Sequence, residues 1–499
     1  MRQDSTQSDG SVALTSSAVG APPGVPVDGG AVLPRLRWVG RRLSLPRLQV
    51  TFGRRSGQAA LGFLVLAAFA VVVFSTAHPT SLVPRSNTGF PAWEAGPLHD
   101  LFGHVTGTYR ALQLGFSAVM VAMAAAYAIA LVSVRTLSMR TIVICVVALH
   151  VILLMSAPLQ LTDIFNYLGY ARLGALHHLN PYVHGIAAET NDPIYVLTTW
   201  HHLRSPYGYL FSALSYPIAL LPIPVAYWVL KVLAVTMSLV FIALVWKCAK
   251  LLGRDPRFAV LFVALNPIYL MYAVAGFHND FFMLVPSTAA IALLLSHRDR
   301  SAGAALMVAV AVKFTAVLLL PFLLLAAVPP KRRRSVLVGA GLATVPLAAM
   351  SVALFGWHLP NLQDQSTLLT DFSIPNLVGW AIGIGGGAPA LLRVANVAVV
   401  LTVALLLRRR RDWLSGAGWS TLALIASLAW LVPWYLIWLL PLAALAPSIR
   451  LRRATLAMTV FLVIAFMPAT GIFLRSQGID LMSSSVGQAS TSLQHKLAQ

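Results

Sequence analysis

The chain has 499 residues, of which 58% are hydrophobic and only 10% charged, with a mean hydropathy of +0.77. Soluble domains carry roughly 25% charged residues, so this deficit excludes a soluble globular protein and places most of the chain in hydrocarbon, where only helices or closed barrels satisfy the backbone. The formal net charge of +21 does not point to nucleic acid, because the cations gather in short connections between apolar runs.

The long apolar runs favour helices over the alternation of a barrel, so the expected fold is an all-α polytopic membrane protein with about 11–13 transmembrane helices. Cys145 and Cys248 fall within or at the end of such runs and offer neither a disulfide framework nor a metal-ligand pair. Cationic connections at Arg135 and Arg140, Lys247 to Arg257, Arg298 and Arg300, Lys331 to Arg334, Arg408 to Arg411 and Arg450 to Arg453 mark the cytoplasmic side.

Residues 1–57 are rich in Ser, Gly, Pro and Val, then basic from Arg35 to Arg55, with no signal-peptide cleavage pattern. They are expected to form a disordered cytoplasmic tail. A span at 58–76 then runs outward, 111–133 returns and 141–158 goes out again, which puts Asp163 on the extracytoplasmic side. The stretch Tyr207 to Pro222 is short and interrupted by Pro217. It cannot cross, because the better span at 225–247 must begin outside to end inside at Lys247 and Lys250. It is expected along the outer leaflet, with the juxtamembrane helices of a main extracytoplasmic loop over 159–224. Spans follow at 258–275 and 281–297. Residues 301–328 have cationic loops at both ends, so they read as two short helices meeting near Lys313. Further spans at 335–356, 388–407, 415–432, 434–447 and 454–474 complete a transmembrane domain over 58–475, with a short polar tail, 476–499, outside.

On this topology Glu94, Asp100, Asp163, Glu189, Asp192, Asp280, Asp364, Asp371 and Asp480 face outward, whereas Asp255, Asp299 and Asp412 sit among inner arginines. Most outer acids need only solvation. Asp163 and Asp280 differ because each abuts a span, where a carboxylate is costly to keep. Residues 163–179 read as an amphipathic interfacial helix, with Ile164, Leu168, Ala171, Ala175 and Leu179 on one side and Asp163, Tyr167, Tyr170, Gly174 and His177 or His178 on the other. A plain surface connector would show the same periodicity. Asn180-Pro181-Tyr182 ends it. A second group, Gly276-Phe277-His278-Asn279-Asp280 after Asn266-Pro267-Ile268-Tyr269, forms a tight outer turn; helix capping accounts for Asn279 or Asp280 but not for the trio. A third comprises Lys313 and Pro433-Trp434-Tyr435 with Trp438, which snorkelling and an interfacial aromatic belt explain equally well.

Taken in order, Asp163 with Tyr167 and Gly169, Arg172, Asn180-Pro181-Tyr182, Pro206-Tyr207-Gly208, Gly276 to Asp280, Lys313 with Pro321-Phe322, and Pro433-Trp434-Tyr435 resemble the actinobacterial polyprenol-phosphomannose-dependent α-1,6-mannosyltransferases of the GT-C superfamily. The resemblance covers about residues 58–447. Tyr209 departs from it, standing where the family usually continues Tyr-Gly with proline, and His201, His202 and Arg204 are further departures.

The resemblance implies inverting transfer of mannose from polyprenyl phosphate mannose to a hydroxyl of a growing cell-envelope glycan or glycolipid, at the outer face of the plasma membrane. Arabinose or glucose on the same lipid carrier is the alternative. Donor, acceptor and membrane lipids are the expected partners, with no nucleic acid, cofactor or metal. A phosphate leaving group needs no proton, so one base and cations suffice, whereas glycosidases use two carboxylates. The implied base is Asp163. Arg172, Lys313 and His278 are the expected phosphate ligands, ahead of His177, His178 and Arg204. Tyr167, Asn180, Tyr182, Tyr207, Asn279, Asp280, Trp434 and Tyr435 are expected sugar or acceptor contacts. A transporter or flippase of lipid-linked sugar would have a similar number of helices, but such proteins are often built from repeats with midplane sites. This chain shows no half-to-half similarity and gathers its polar groups at one face.

Overall fold

A computed structural model describes residues 52–76, 82, 91–97, 108–160, 163–360, 368–409 and 412–498. Most of the expected N-terminal tail, together with Asp100 and Asp364, lies outside the described residues. Among the described residues the fold is all-helical, with one isolated bridge between Gly185 and Arg204. In chain order the helices are α1 (Arg54–Thr76), α2 (Ala92–Ala95), α3 (Tyr109–Val132), α4 (Met139–Leu154), α5 (Asp163–Ala175), α6 (Tyr209–Ala219), α7 (Ile223–Leu251), α8 (Pro256–Ala264), α9 (Asp280–Leu295), α10 (Asp299–Val312), α11 (Leu320–Ala326), α12 (Pro330–Phe355), α13 (Ile374–Ala381), α14 (Pro389–Arg409), α15 (Trp413–Ser427), α16 (Leu436–Leu445), α17 (Ile449–Phe466), α18 (Pro468–Ser476) and α19 (Ser485–Ala498).

Five helices, α1, α3, α7, α12 and α14, are long and apolar enough to cross a membrane; α17 and α18, bent by 58° where Pro468 opens the second, make a sixth if taken as one span. Shorter apolar helices, among them α4, α9 and α16, lie between them. The helix ends follow from local chemistry. Thr108, Ser138 and Ser448 cap α3, α4 and α17 by accepting from the amides of Ala111, Thr141 and Leu451.

Proline and asparagine break what the hydropathy pattern reads as continuous. The stretch 258–275 is α8 followed by a π-helical turn over Tyr269–Val274. Pro267 cannot continue the hydrogen-bond ladder, and Asn266 caps the Ile268 amide at 3.0 Å while its amide nitrogen reaches Thr459 Oγ1 on α17 at 3.0 Å. Residues 301–328 are two short helices, as the cationic flanks require: α10 stops at Val312, Lys313 is extended (φ −153°), and a 3₁₀ turn over Phe314–Leu319 leads into α11.

Two elements differ from a surface-lying description. Residues 164–171 of α5 are all buried, including Asn166, Tyr167 and Tyr170, so its polar side meets protein rather than water. Asn166 Oδ1 accepts from the amides of Thr199 and Trp200 (3.2 and 3.4 Å), and Tyr170 Oη donates to the Leu203 carbonyl at 2.7 Å. The polar C-terminal stretch contains α19, whose Leu497 carbonyl accepts from the His202 amide at 2.9 Å and whose Ser490 Oγ accepts from the Leu369 amide at 2.8 Å. Leu203, Leu368 and Leu497 form a small separate core there with Trp200 and Trp430.

Candidate active site

Four segments distant in sequence meet at one end of the bundle. The first residue of α5 is Asp163, and the first residue of α9 is Asp280, preceded by the turn that holds His278. Lys313 occupies the break after α10, and Trp434, Tyr435 and Trp438 come from the 3₁₀ turn Pro433–Tyr435 and from α16.

Lys313 Nζ donates to Asp280 Oδ1 at 2.7 Å, and Trp438 Nε1 donates to the same oxygen at 2.6 Å. The ammonium also lies 5.1 Å from the Tyr435 ring centroid and 4.9 Å from that of Trp438, two rings that stack at 4.3 Å. One hydrogen bond to a carboxylate and cation–π contacts with two rings thus fix the position of Lys313. An extended backbone at Lys313 leaves the helix just where the side chain must turn toward Asp280. Gly208 permits the close approach that closes this corner: its amide donates to the Val312 carbonyl at 3.2 Å, and a side chain there would overlap the carbonyls of Ala311 and Val312. Tyr207 is thereby brought beside Tyr167, edge to face at 4.9 Å.

His278 stacks on Trp434 with centroids 4.1 Å apart, and its Nδ1 lies 3.5 Å from Asp163 Oδ2. Tyr167, one turn along α5 from Asp163, accepts from the Asn279 amide at 3.2 Å and so ties the helix to the turn. Burial pushes the His278 imidazole down to about 3, so it is neutral at pH 7 and its contact with Asp163 is not an ion pair. Burial likewise pushes the Asp163 carboxyl up to about 6, with nearby Lys313 opposing the rise and Asp280 adding to it. The Asp163 side chain keeps 17% exposure, whereas His278 and Asp280 keep 1% each, so Asp163 is the member of the trio that solutes can reach.

The site is incomplete by its own chemistry. Neither ring nitrogen of His278 makes a well-formed hydrogen bond among the described residues, and Asp280 Oδ2 has no partner there. Buried polar atoms without partners are costly; several at one place mark where a polar ligand would complete the bonding. Beside them, a small apolar cavity of about 60 Å³ lies between α9, the Phe314–Leu319 turn, α15 and α16, with Trp438 and Thr315 in its wall and Leu284, Ile291, Leu424 and Leu442 also lining it.

The remaining sequence candidates are elsewhere. Arg172 is nine residues from Asp163, which is roughly half a turn around the helix and about 13 Å along it. Its Nε donates to both oxygens of Asp192 (2.9 and 3.1 Å), and His177 Nε2 contacts the same carboxylate at 2.7 Å. Arg172 thus stands in an internal ion pair with Asp192 and is not joined by any hydrogen bond or ion pair to the Asp163 cluster among the described residues. Asn180 donates to the Phe355 carbonyl at 2.7 Å and accepts from the Tyr182 amide at 3.0 Å, while Tyr182 Oη bonds the Tyr207 carbonyl and Ser212 Oγ, both at 3.0 Å. Both residues shape the loop that carries Tyr207. Trp438 holds Asp280 directly, a role the sequence does not reveal because an aromatic at a span end is ordinarily an interfacial anchor.

A polytopic helical bundle with an accessible acid, a neutral imidazole and an anchored lysine beside an apolar cavity defines a membrane-embedded enzyme. Residues 60–329 match the family described as alpha-(1→6)-mannopyranosyltransferase, N-terminal domain, and residues 373–484 match the MptB C-terminal domain. The chain belongs to this α-(1→6)-mannopyranosyltransferase family and is a mannosyltransferase. It is similar to alpha-(1→6)-mannopyranosyltransferase A of Mycobacterium tuberculosis, 28% identical over 357 residues that cover 63% of this chain and 67% of the relative. A probable alpha-(1→6)-mannopyranosyltransferase of Mycolicibacterium smegmatis is 25% identical over 382 residues, 64% of this chain and 67% of the relative. With the Corynebacterium glutamicum enzyme A, identity is 26% over 184 residues, 35% of this chain and 36% of the relative. No solved structure matches the chain. Asp163, His278, Asp280 and Lys313 fall in the first matched region, and Trp434 to Trp438 in the second.

Proposed function

We propose that the enzyme moves mannose from polyprenyl phosphate mannose to a hydroxyl of a cell-envelope glycan or glycolipid of the α-1,6-mannan type, at the extracytoplasmic face of the plasma membrane. The observation that carries this reading is Lys313, anchored on Asp280 beside Trp438, whose ring also lines the apolar cavity. A lipid phosphate needs a cation for its charge and apolar surface for its chain, and Trp438 touches both Lys313 and the apolar cavity.

In the reaction, Asp163 accepts the proton of the acceptor hydroxyl as that oxygen attacks the anomeric carbon. The bond from this carbon to the phosphate oxygen breaks with its electron pair going to the phosphate, whose new charge Lys313 offsets. Neutral His278 donates or accepts a hydrogen bond without adding a competing charge. The sugar lies among Tyr167, Tyr207, Trp434 and Tyr435. Sidedness is supported by the α9–α10 pair: α9 begins at Asp280 and runs to the connection holding His297, Arg298 and Arg300, from which α10 returns to Lys313. Site and cations therefore occupy opposite ends of the same two helices.

The test is transfer from radiolabelled polyprenyl phosphate mannose to a mannosyl acceptor by membranes holding the wild type or Asp163→Asn. Transfer by the wild type and its loss in the variant at equal protein level is the expected result. Equal transfer by both removes Asp163 as the base; use of another lipid-linked sugar in place of mannose removes the donor.

A further inference from the structure

Lys231 lies within α7, fully buried, and takes no part in the cluster described above. Its Nζ donates to the Ser156 carbonyl at 2.6 Å and sits over three rings: Trp228 at 3.7 Å, Phe277 at 4.8 Å and Tyr227 at 4.9 Å. An ammonium sunk in a span is expensive, and its usual justification is a function.

Two of these partners lead straight into the site. Ser156 follows the end of α4 and opens the segment that runs on to Asp163; within that segment the Leu159 amide donates to the Ala275 carbonyl at 3.0 Å. Phe277 directly precedes His278 and holds a left-handed backbone (φ +53°), which a bulky aromatic adopts only when its surroundings impose it. From the other side, Trp228 Nε1 donates to the Trp93 carbonyl and Tyr227 Oη to the Glu94 carbonyl, each at 3.1 Å. Glu94 is 2% exposed, and burial pushes its carboxyl up to about 8.

We propose that Lys231 is a positioning residue for the transfer, one buried amino group that clamps both the backbone leading to Asp163 and the turn carrying His278, and so sets their 3.5 Å contact. A hydrocarbon side chain of the same length would fill the space. It would leave the Ser156 carbonyl without this donor and the three rings without the amino group they pack against. The consequence of the clamp for rate rests on the role given above to Asp163.

The test uses the purified full-length protein in lipid nanodiscs, with separate kcat and KM for polyprenyl phosphate mannose and a mannosyl acceptor. Lys231→Met should lower kcat roughly 10- to 100-fold, the cost of misplacing reacting groups by about 1 Å. Both KM values should stay within about twofold, and the ascending limb of the pH profile should move. Phe277→Leu should reproduce the kcat loss, and the double variant should fall no further than the worse single, because the two changes break one clamp. Wild-type kcat and pH profile in folded Lys231→Met overturn the proposal; if that variant does not fold, wild-type kcat in Phe277→Leu does so. Asp163→Asn, assayed in parallel, reports on the base alone: turnover retained there removes that role, whatever Lys231→Met shows.

Discussion

α5 carries an acid–base cluster at each end, and the two are built to opposite specifications. At its C-terminal end Asp192 is saturated by Arg172, His177 and the Ile194 amide. Burial alone would raise its carboxyl, but these hydrogen bonds outweigh burial and hold it below the usual carboxylate range. At the N-terminal end Asp163 is raised to about 6, and among the described residues the His278 ring nitrogens lack well-formed hydrogen bonds and Asp280 Oδ2 has no partner. A complete ion pair fixes a loop, whereas an incomplete one leaves bonding capacity for a substrate. Charge and burial alone do not separate the two; the bonding inventory does.

The largest expected effect tests that contrast at its active end. Asp163→Asn should lower kcat by about 10³-fold or more with the fold intact, within the range of general-base contributions; turnover near wild type would mean the raised acid has no role in proton transfer. Lys313→Met should lower kcat/KM for the donor roughly 100-fold, the scale of losing one group that stabilises developing negative charge. A matching loss with Arg172→Met in folded protein would erase the distinction between the clusters. The expectation is instead that Arg172→Met costs about 3 kcal/mol of stability, as when one partner of a buried pair is removed, while turnover per folded molecule stays within about threefold. Thermal unfolding and active-site-normalised kinetics on one preparation separate these outcomes.

The pH dependence sharpens the comparison further. The base works ionised, so kcat/KM should fall about tenfold per pH unit below about 6 and level off above it. The smallest effect is on stability. Because the folded state raises the Asp163 carboxyl from its ordinary value of 3.8, the folded protein binds that proton more tightly than the unfolded chain, and ionisation opposes folding increasingly from about pH 4 to above 6. Asp163→Asn should therefore melt at the same temperature as wild type or slightly higher at pH 7. A clear drop would show that the carboxylate is stabilised by contacts it does not make here.

Local signals made much of the architecture legible in the sequence. The interruption at Lys313 followed from cations at both ends of 301–328, and the turn around His278 from three polar residues between apolar runs. The break at Asn266-Pro267 is also written locally, although hydropathy passed over it, because a window average does not see one missing amide hydrogen. Lys231 illustrates the opposite limit: a single lysine within a span carries a cost visible in the sequence, but nothing there reveals that Ser156 and Phe277 share it.

By itself, then, the sequence determined the solvent of this protein, its helical class, the ends of many helices and the turns where polar groups gather, since hydrophobic period, caps and prolines act over a few residues. Only the tertiary structure decided which of those groups meet. Lys313 finds Asp280 across 33 residues, Trp438 finds the same carboxylate across 158, and Arg172 is taken up by Asp192. The physical reason is that a buried charge must have a partner, yet every acid and base meets that requirement in the same way. Choice among them belongs to the packing of helices far apart in the chain.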